Sequence, residues 1–173
     1  LLILKETTLA HFQRGVSSFA GDLPGIAAQI RATGRRLGAD RIYLSGFSSS
    51  GFSALQVSLM LPCHGYLGFS HSTDLSPGSA LPRPWFLTDE VYAQLDPRWL
   101  QDLRPLLADA DPSVPRVLCY GDGSEKDSVH ARHLAGLDTI RLLCLAKARH
   151  NTILHLLGKD RLAAAFNRLV ADR

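Results

Sequence analysis

The sequence predicts an α/β domain: a mainly parallel sheet with helices on both faces. Three observations carry this. Apolar strand-like runs alternate with stretches of helical periodicity along most of the chain, and strands separated by whole helices join through crossovers, which give parallel pairing and two covered faces. One segment, residues 71–113, breaks that rhythm. It holds six of the nine prolines and both tryptophans, so it reads as a lid or insertion at a strand's carboxyl end. The 173 residues, 46% hydrophobic and 20% charged, suffice for one well-buried core and fall short of two ordinary domains. Residues 1–173 therefore read as a single domain.

In chain order, the apolar run 1–5 predicts a buried strand. Residues 24–37 place Ile26, Ala27, Ile30 and Leu37 near helical spacing, and Gly38 stops the helix. Residues 41–45 predict the next strand, 51–61 a helix and 65–70 a short strand. Beyond the insertion, 114–120 predicts a strand, 127–137 a helix, 139–145 a strand, and 151 onward a helix to residue 170. No internal repeat or low-complexity tract interrupts this order.

Lys and Arg number 19 against 16 Asp and Glu, a net charge of +3 that is too small and dispersed for a nucleic-acid surface. Arg31, Arg35 and Arg36 read as the wet face of a helix. No run of 18 apolar residues occurs, so no membrane span is expected. Of three cysteines, Cys63, Cys119 and Cys144, the last two sit in apolar strand-like runs and read as small buried hydrophobes in a reducing, cytoplasmic setting. The chain starts without an initiator Met or a charged leader, and its numbering reads as beginning inside a longer protein.

The chemistry is concentrated in Gly46-Phe47-Ser48-Ser49-Ser50-Gly51, where a strand enters a helix through small residues. Such a turn lifts a hydroxyl toward solvent beside backbone N–H groups. With Ser48 at the apex, Gly46 stands two residues before it, where strand and helix nearly touch. With Ser49 at the apex, bulky Phe47 would occupy that place. The turn alone fits a nucleophile or a helix-capping serine equally.

A serine hydroxyl needs an imidazole to take its proton and a carboxylate to orient that imidazole. Of seven histidines, His150 follows a core strand through the short loop 146–149 and precedes a helix, where a base can reach the turn. His155 reads as a packing or surface histidine. His130 and His133 share a helix, no cysteine or carboxylate spacing completes a metal site, and both read as solvated. His71 closes a strand and is a candidate to line the substrate pocket. For the acid, Asp122 lies in the turn after a core strand and is favoured. Asp127 stands close behind, with the alternative of being the next helix's N-cap, and Glu125 is third. The order serine, acid, histidine differs from those of chymotrypsin and subtilisin.

On these residues the chain resembles the second half of the α/β-hydrolase superfamily. Gly46-Phe47-Ser48-Ser49-Ser50-Gly51-Phe52-Ser53-Ala54-Leu55 is similar to its nucleophile elbow, with Ser50 where glycine is usual. Tyr120-Gly121-Asp122 and Asp127-Ser128-Val129-His130-Ala131 are similar to its acid loop, and Ala148-Arg149-His150-Asn151 to its histidine loop. The start, Leu1-Leu2-Ile3-Leu4-Lys5-Glu6 and His11-Phe12-Gln13-Arg14-Gly15, is loosely similar to a branch found beside bacterial polysaccharide and glycosyltransferase functions. The resemblance implies that part of the oxyanion hole lies upstream of Leu1 or is missing.

The leading expectation is a serine hydrolase or acyltransferase acting on an ester or thioester of a small molecule or glycan. Ser48, His150 and Asp122 or Asp127 would be catalytic, the Ser49 N–H an oxyanion donor, and His71, Trp85 and Phe86 substrate contacts, with no cofactor and no metal. The alternative is a catalytically degenerate domain that binds a sugar or a protein partner, with Trp85, Phe86, Tyr92 and Trp99 as its platform. Neither G-x-G-x-x-G nor a phosphate loop follows any strand, which argues against nucleotide binding.

Overall fold

Asp22 opens the first helix by accepting from the Gly25 N–H, and Pro24 fills a first-turn position that needs no donor. This helix, α1 (Leu23–Arg36), ends where Leu37 and left-handed Gly38 (φ 63°) turn the chain. The structure is a computed structural model and describes residues 1–5 and 11–171. The chain continues through β1 (Tyr43–Phe47), α2 (Ser49–Met60), β2 (Gly65–Phe69), the short α3 (Asp89–Tyr92) and α4 (Leu103–Ala108). It then runs through β3 (Arg116–Gly121), α5 (Glu125–His133), β4 (Arg141–Leu145), α6 (Thr152–Leu157) and α7 (Leu162–Ala171).

The four strands are parallel and lie in chain order, β1-β2-β3-β4. Phe47 stands beside Phe69, Phe69 beside Cys119, and Gly121 beside Leu145, so the carboxyl ends form one edge, where sites of open parallel sheets gather. Side-chain alternation divides the two faces. Tyr66 and Leu118 join Phe52, Leu55, Leu103 and Leu107 on the side of α2 and α4. Leu67, Phe69, Val117 and Cys119 join Leu156 and Leu169 on the side of α6 and α7. Inner strand β2 is buried throughout, whereas β1 and β4 are edges. Phe12, Leu23, Ile26 and Val57 bind α1 to α2 in a third cluster.

Several expectations are corrected. Residues 1–5 form no strand, and Leu1, Leu2 and Ile3 are exposed; an apolar run becomes a strand only where a neighbour takes its backbone hydrogen bonds, and none of the described strands does. The helix expected at 127 starts at Glu125, because Ser124 rather than Asp127 is its N-cap. The final helix is broken at Gly158 and Asp160 (φ 52°) into α6 and α7. Cys63 and Cys119 are buried, but Cys144 is exposed on edge strand β4. Residues 71–113 are stitched into the core through Leu75, Leu87, Leu95, Leu100, Leu103 and Leu107, with an antiparallel bridge between Asp74 and Asp102. Among the described residues no helix is long and apolar enough to cross a membrane.

Candidate active site

The chain passes from β1 to α2 through one residue, Ser48, at φ 53° and ψ −122°. A β-carbon disfavours that backbone. Two hydrogen bonds hold it, from the Ser48 N–H to the Phe69 carbonyl and from the Gly51 N–H to the Ser48 carbonyl, both 3.0 Å. Gly46 lets the incoming strand touch the helix: a β-carbon there would stand 2.6 Å from the Ser50 oxygen and 2.7 Å from the Gly51 Cα. Ser50, at the position where glycine is usual, closes the turn on itself. Its hydroxyl donates to the Phe47 carbonyl (2.8 Å) and accepts from the Phe47 N–H (3.0 Å). The Ser48 side chain makes no capping bond to α2. As the first helical residue, Ser49 has no intrahelical acceptor for its N–H.

The Ser48 hydroxyl points to the histidine loop. His150 Nε2 lies 3.0 Å from Ser48 Oγ, and His150 Nδ1 lies 3.0 and 3.1 Å from the two carboxylate oxygens of Asp127. The Phe47 ring packs on the imidazole with centroids 5.2 Å apart. Asp127 is the third residue of α5 and is 2% exposed. Burial pushes its carboxyl up, but the hydrogen bond and charge of His150, aided by the Ser124 and Ser70 hydroxyls, hold it below the ordinary carboxylate value.

Asp122, the acid favoured from sequence, stands elsewhere. Its Oδ1 accepts from the Lys147 N–H at 2.6 Å, while the Gly123 N–H donates to the Ala148 carbonyl at 2.9 Å. Asp122 thus laces the acid loop to the histidine loop. Gly121 permits this, because a β-carbon there would lie 2.1 Å from the Ala148 oxygen. Glu125 is exposed at the start of α5. The spacing Ser124-x-x-Asp127 marks Ser124 as the cap and so frees Asp127 from the capping role that sequence reading offered for it.

His71 does not line a pocket. It is 3% exposed: Nδ1–H donates to the Ser72 carbonyl at 2.7 Å, and Nε2 lies 2.8 Å from the Tyr66 hydroxyl, which also reaches the Gly51 carbonyl at 2.8 Å. Gly51 and Gly68 leave the room for its ring. Burial lowers its pKa to about 4. His130, expected in solvent, is fully buried, accepting from the Thr73 N–H at Nδ1 (3.1 Å) and donating from Nε2 to the Pro82 carbonyl (3.0 Å). His133 is paired with Asp102 at 2.7 Å. Asp74, Asp102 and His133 bring ligand-type atoms within 4.8 Å of one another, but Asp74 already accepts from Ser76 and Ser79 and Asp102 from His133.

The aromatic candidates separate by exposure. Trp85 is 89% exposed and meets Phe86 edge-on at 5.7 Å. Phe86 stacks on His11 at 5.7 Å, and His11 meets Phe52 edge-on at 5.9 Å. Wholly buried, His11 faces the Ser49 backbone without closing a hydrogen bond of ordinary geometry, and burial lowers its pKa to about 4. Tyr92 donates to the Leu75 carbonyl at 2.7 Å, and Trp99 packs against the third cluster; both are anchors.

No family model and no curated protein matches the sequence. Solved structures do match the fold. A protein described as a predicted CIB-like hydrolase of Thermoplasma acidophilum is 14% identical with a TM-score of 0.60, over 89% of this chain and 65% of that one. MenH from S. aureus is 14% identical with a TM-score of 0.62, over 91% and 78%. The esterase Est2 of Thermogutta terrifontis is 16% identical with a TM-score of 0.56, over 87% and 62%. The chain thus spans less than two thirds of the first and third of these proteins. It has the α/β-hydrolase fold.

Proposed function

We propose that this chain is a serine hydrolase or acyltransferase acting on an ester or thioester of a small molecule or glycan. The observation that carries the reading is the unbroken line Asp127–His150–Ser48, at 3.0 Å on each side of the imidazole, ending on a serine that caps nothing. With the proton on Nδ1 facing Asp127, Nε2 accepts the Ser48 proton as Oγ attacks the carbonyl. The carbonyl oxygen becomes an oxyanion, for which the Ser49 N–H is one donor. Collapse breaks the bond to the leaving alcohol or thiol, which takes the proton from Nε2. Water or a second hydroxyl, deprotonated by the same imidazole, then attacks the acyl-enzyme and returns Ser48. Likeness to esterases supports a small-molecule substrate.

The testing experiment is a fluorophosphonate probe with intact-mass detection. The expected result is one phosphonyl adduct, lost in Ser48→Ala and kept in part in Ser49→Ala and Ser50→Ala. Absence of any adduct on the folded protein overturns the reading. A second reading, a fold kept for binding, is favoured only by Trp85, whose 89% exposure suits a sugar-stacking platform. It predicts glycan binding lost in Trp85→Ala and no adduct.

A further inference from the structure

Strand β2 grips the nucleophile turn twice. At its carboxyl end the Phe69 carbonyl accepts from the Ser48 N–H at 3.0 Å. Nearer its start, the Tyr66 hydroxyl donates to the Gly51 carbonyl at 2.8 Å. Gly51 is the third residue of α2, and its own N–H donates to the Ser48 carbonyl at 3.0 Å. Ser48 is thus held by β2 directly at its N–H and, through Gly51, at its carbonyl. A non-glycine backbone at φ 53° persists only where the contacts around it over-determine it. The Tyr66 hydroxyl is one of those contacts.

The Gly51 carbonyl does not need this hydroxyl for its satisfaction, because α2 runs on to Met60 and supplies the amide four residues later. What the hydroxyl adds is position. Tyr66 is fully buried, and a β-carbon at Gly68 would overlap its hydroxyl oxygen, while one at Gly51 would stand 2.7 Å from the His71 Cβ. The two glycines therefore let the hydroxyl reach the turn. His71 flanks it, with Nε2 at 2.8 Å. Since Nδ1–H of His71 is spent on the Ser72 carbonyl at 2.7 Å, Nε2 offers a lone pair, and the single hydroxyl proton faces two acceptors. We propose that Tyr66 is a positioning residue: through Gly51 its hydroxyl fixes the first turn of α2, and with it Ser48 Oγ and the Ser49 N–H, against His150. This rests on the triad reading above. A small misplacement at a reacting group costs up to about a hundredfold in rate.

Tyr66→Phe, His71→Met and the Tyr66→Phe/His71→Met pair, each in the full chain, separate position from stability. Three quantities are read: the second-order rate of fluorophosphonate labelling, the Gly51 carbonyl carbon-13 resonance, and Tm. Tyr66→Phe keeps the ring and deletes the hydroxyl. The expected result is labelling slowed about tenfold or more, a Gly51 resonance moved upfield, and a lowered Tm, because His71 Nε2 is left buried without a partner. His71→Met leaves the hydroxyl proton wholly to Gly51, so labelling stays within a few-fold of wild type. In the pair the orphaned nitrogen is gone as well, so Tm recovers in part while labelling remains slow. Labelling that recovers along with Tm in the pair, or a wild-type rate in Tyr66→Phe, overturns the proposal. If Tyr66→Phe alone does not fold, the pair measured against His71→Met carries the same comparison. If the wild-type protein is never labelled, the hydrolase reading fails by itself, and the Gly51 resonance alone decides whether Tyr66 holds the turn.

Discussion

His150 Nδ1 stands 3.0 and 3.1 Å from the two carboxylate oxygens of Asp127. A contact shared so evenly holds the ring proton on Nδ1 and leaves Nε2 as the acceptor facing Ser48 Oγ at 3.0 Å. Asp122, five residues earlier, accepts instead from the Lys147 N–H of the neighbouring loop. The two carboxylates therefore meet different partners, and substitution can separate them.

Asp127→Asn should lower kcat by about 10⁴ with a native fold, because the amide selects the wrong tautomer. Asp122→Asn should leave kcat within a few-fold and cost about 1 kcal/mol of stability through the weakened loop tie. Steady-state kinetics on a p-nitrophenyl ester with urea denaturation checks both. A larger rate loss in Asp122→Asn would reassign the acid.

Ser48 holds a backbone that only glycine adopts freely, at φ 53° and ψ −122°. Ser48→Gly should therefore be more stable than Ser48→Ala by about 1 kcal/mol in urea, although neither reacts with a fluorophosphonate. Equal stability of the two variants would mean that the turn is not strained at this residue.

Stability should fall as pH drops from 7 to 4, before the carboxylates protonate. Burial lowers His11 and His71 from 6.5 to about 4, so between those values the unfolded chain binds protons that the fold excludes. The stability is fully present above about 6.5, declines as pH falls toward 4, and levels below, by up to about 3 kcal/mol per histidine. Asp127, whose folded pKa is lowered, adds stability that is lost only as pH falls further, through that folded value. Urea titrations at several pH values check this, and His71→Gln should reduce the slope without abolishing it, because His11 and His130, also lowered by burial, remain. A flat profile from pH 7 to 4.5 would contradict it.

Trp85 and Phe86 should behave differently despite adjacency. Trp85→Ala removes an 89% exposed ring and should leave stability within about 0.5 kcal/mol, so a rise in KM for aromatic esters would mark a substrate contact. Phe86→Ala removes the stack of a half-buried ring on His11 and should cost more than Trp85→Ala, about 1–2 kcal/mol, less than the loss of a fully buried aromatic. A costly Trp85→Ala with unaltered KM would make that ring an anchor as well.

The amino-acid sequence by itself determined what short-range chemistry determines. Alternating apolar runs specified crossovers and a parallel sheet, Asp22 and Gly38 bounded the first helix, and Gly46 singled out Ser48 because strand and helix could touch only there. His150 was readable as the residue between a core strand and a helix cap. Tertiary structure decided everything that depends on one element meeting another. The Ser48–His150 contact spans 102 residues and the His150–Asp127 contact 23, so which carboxylate faces the imidazole follows from how the Gly121 and Ala148 backbones pack, and Asp122 was spent on that packing. His71 looked like a pocket residue because it ends a strand, yet Gly51 and Gly68 give its ring a buried seat. Residues 1–5 looked like a strand because they are apolar, but a strand is defined by its neighbour's hydrogen bonds. Periodicity, capping and backbone restriction act over a few residues and are written locally, whereas loop contact and burial are set by the packing of the whole sheet and its helices.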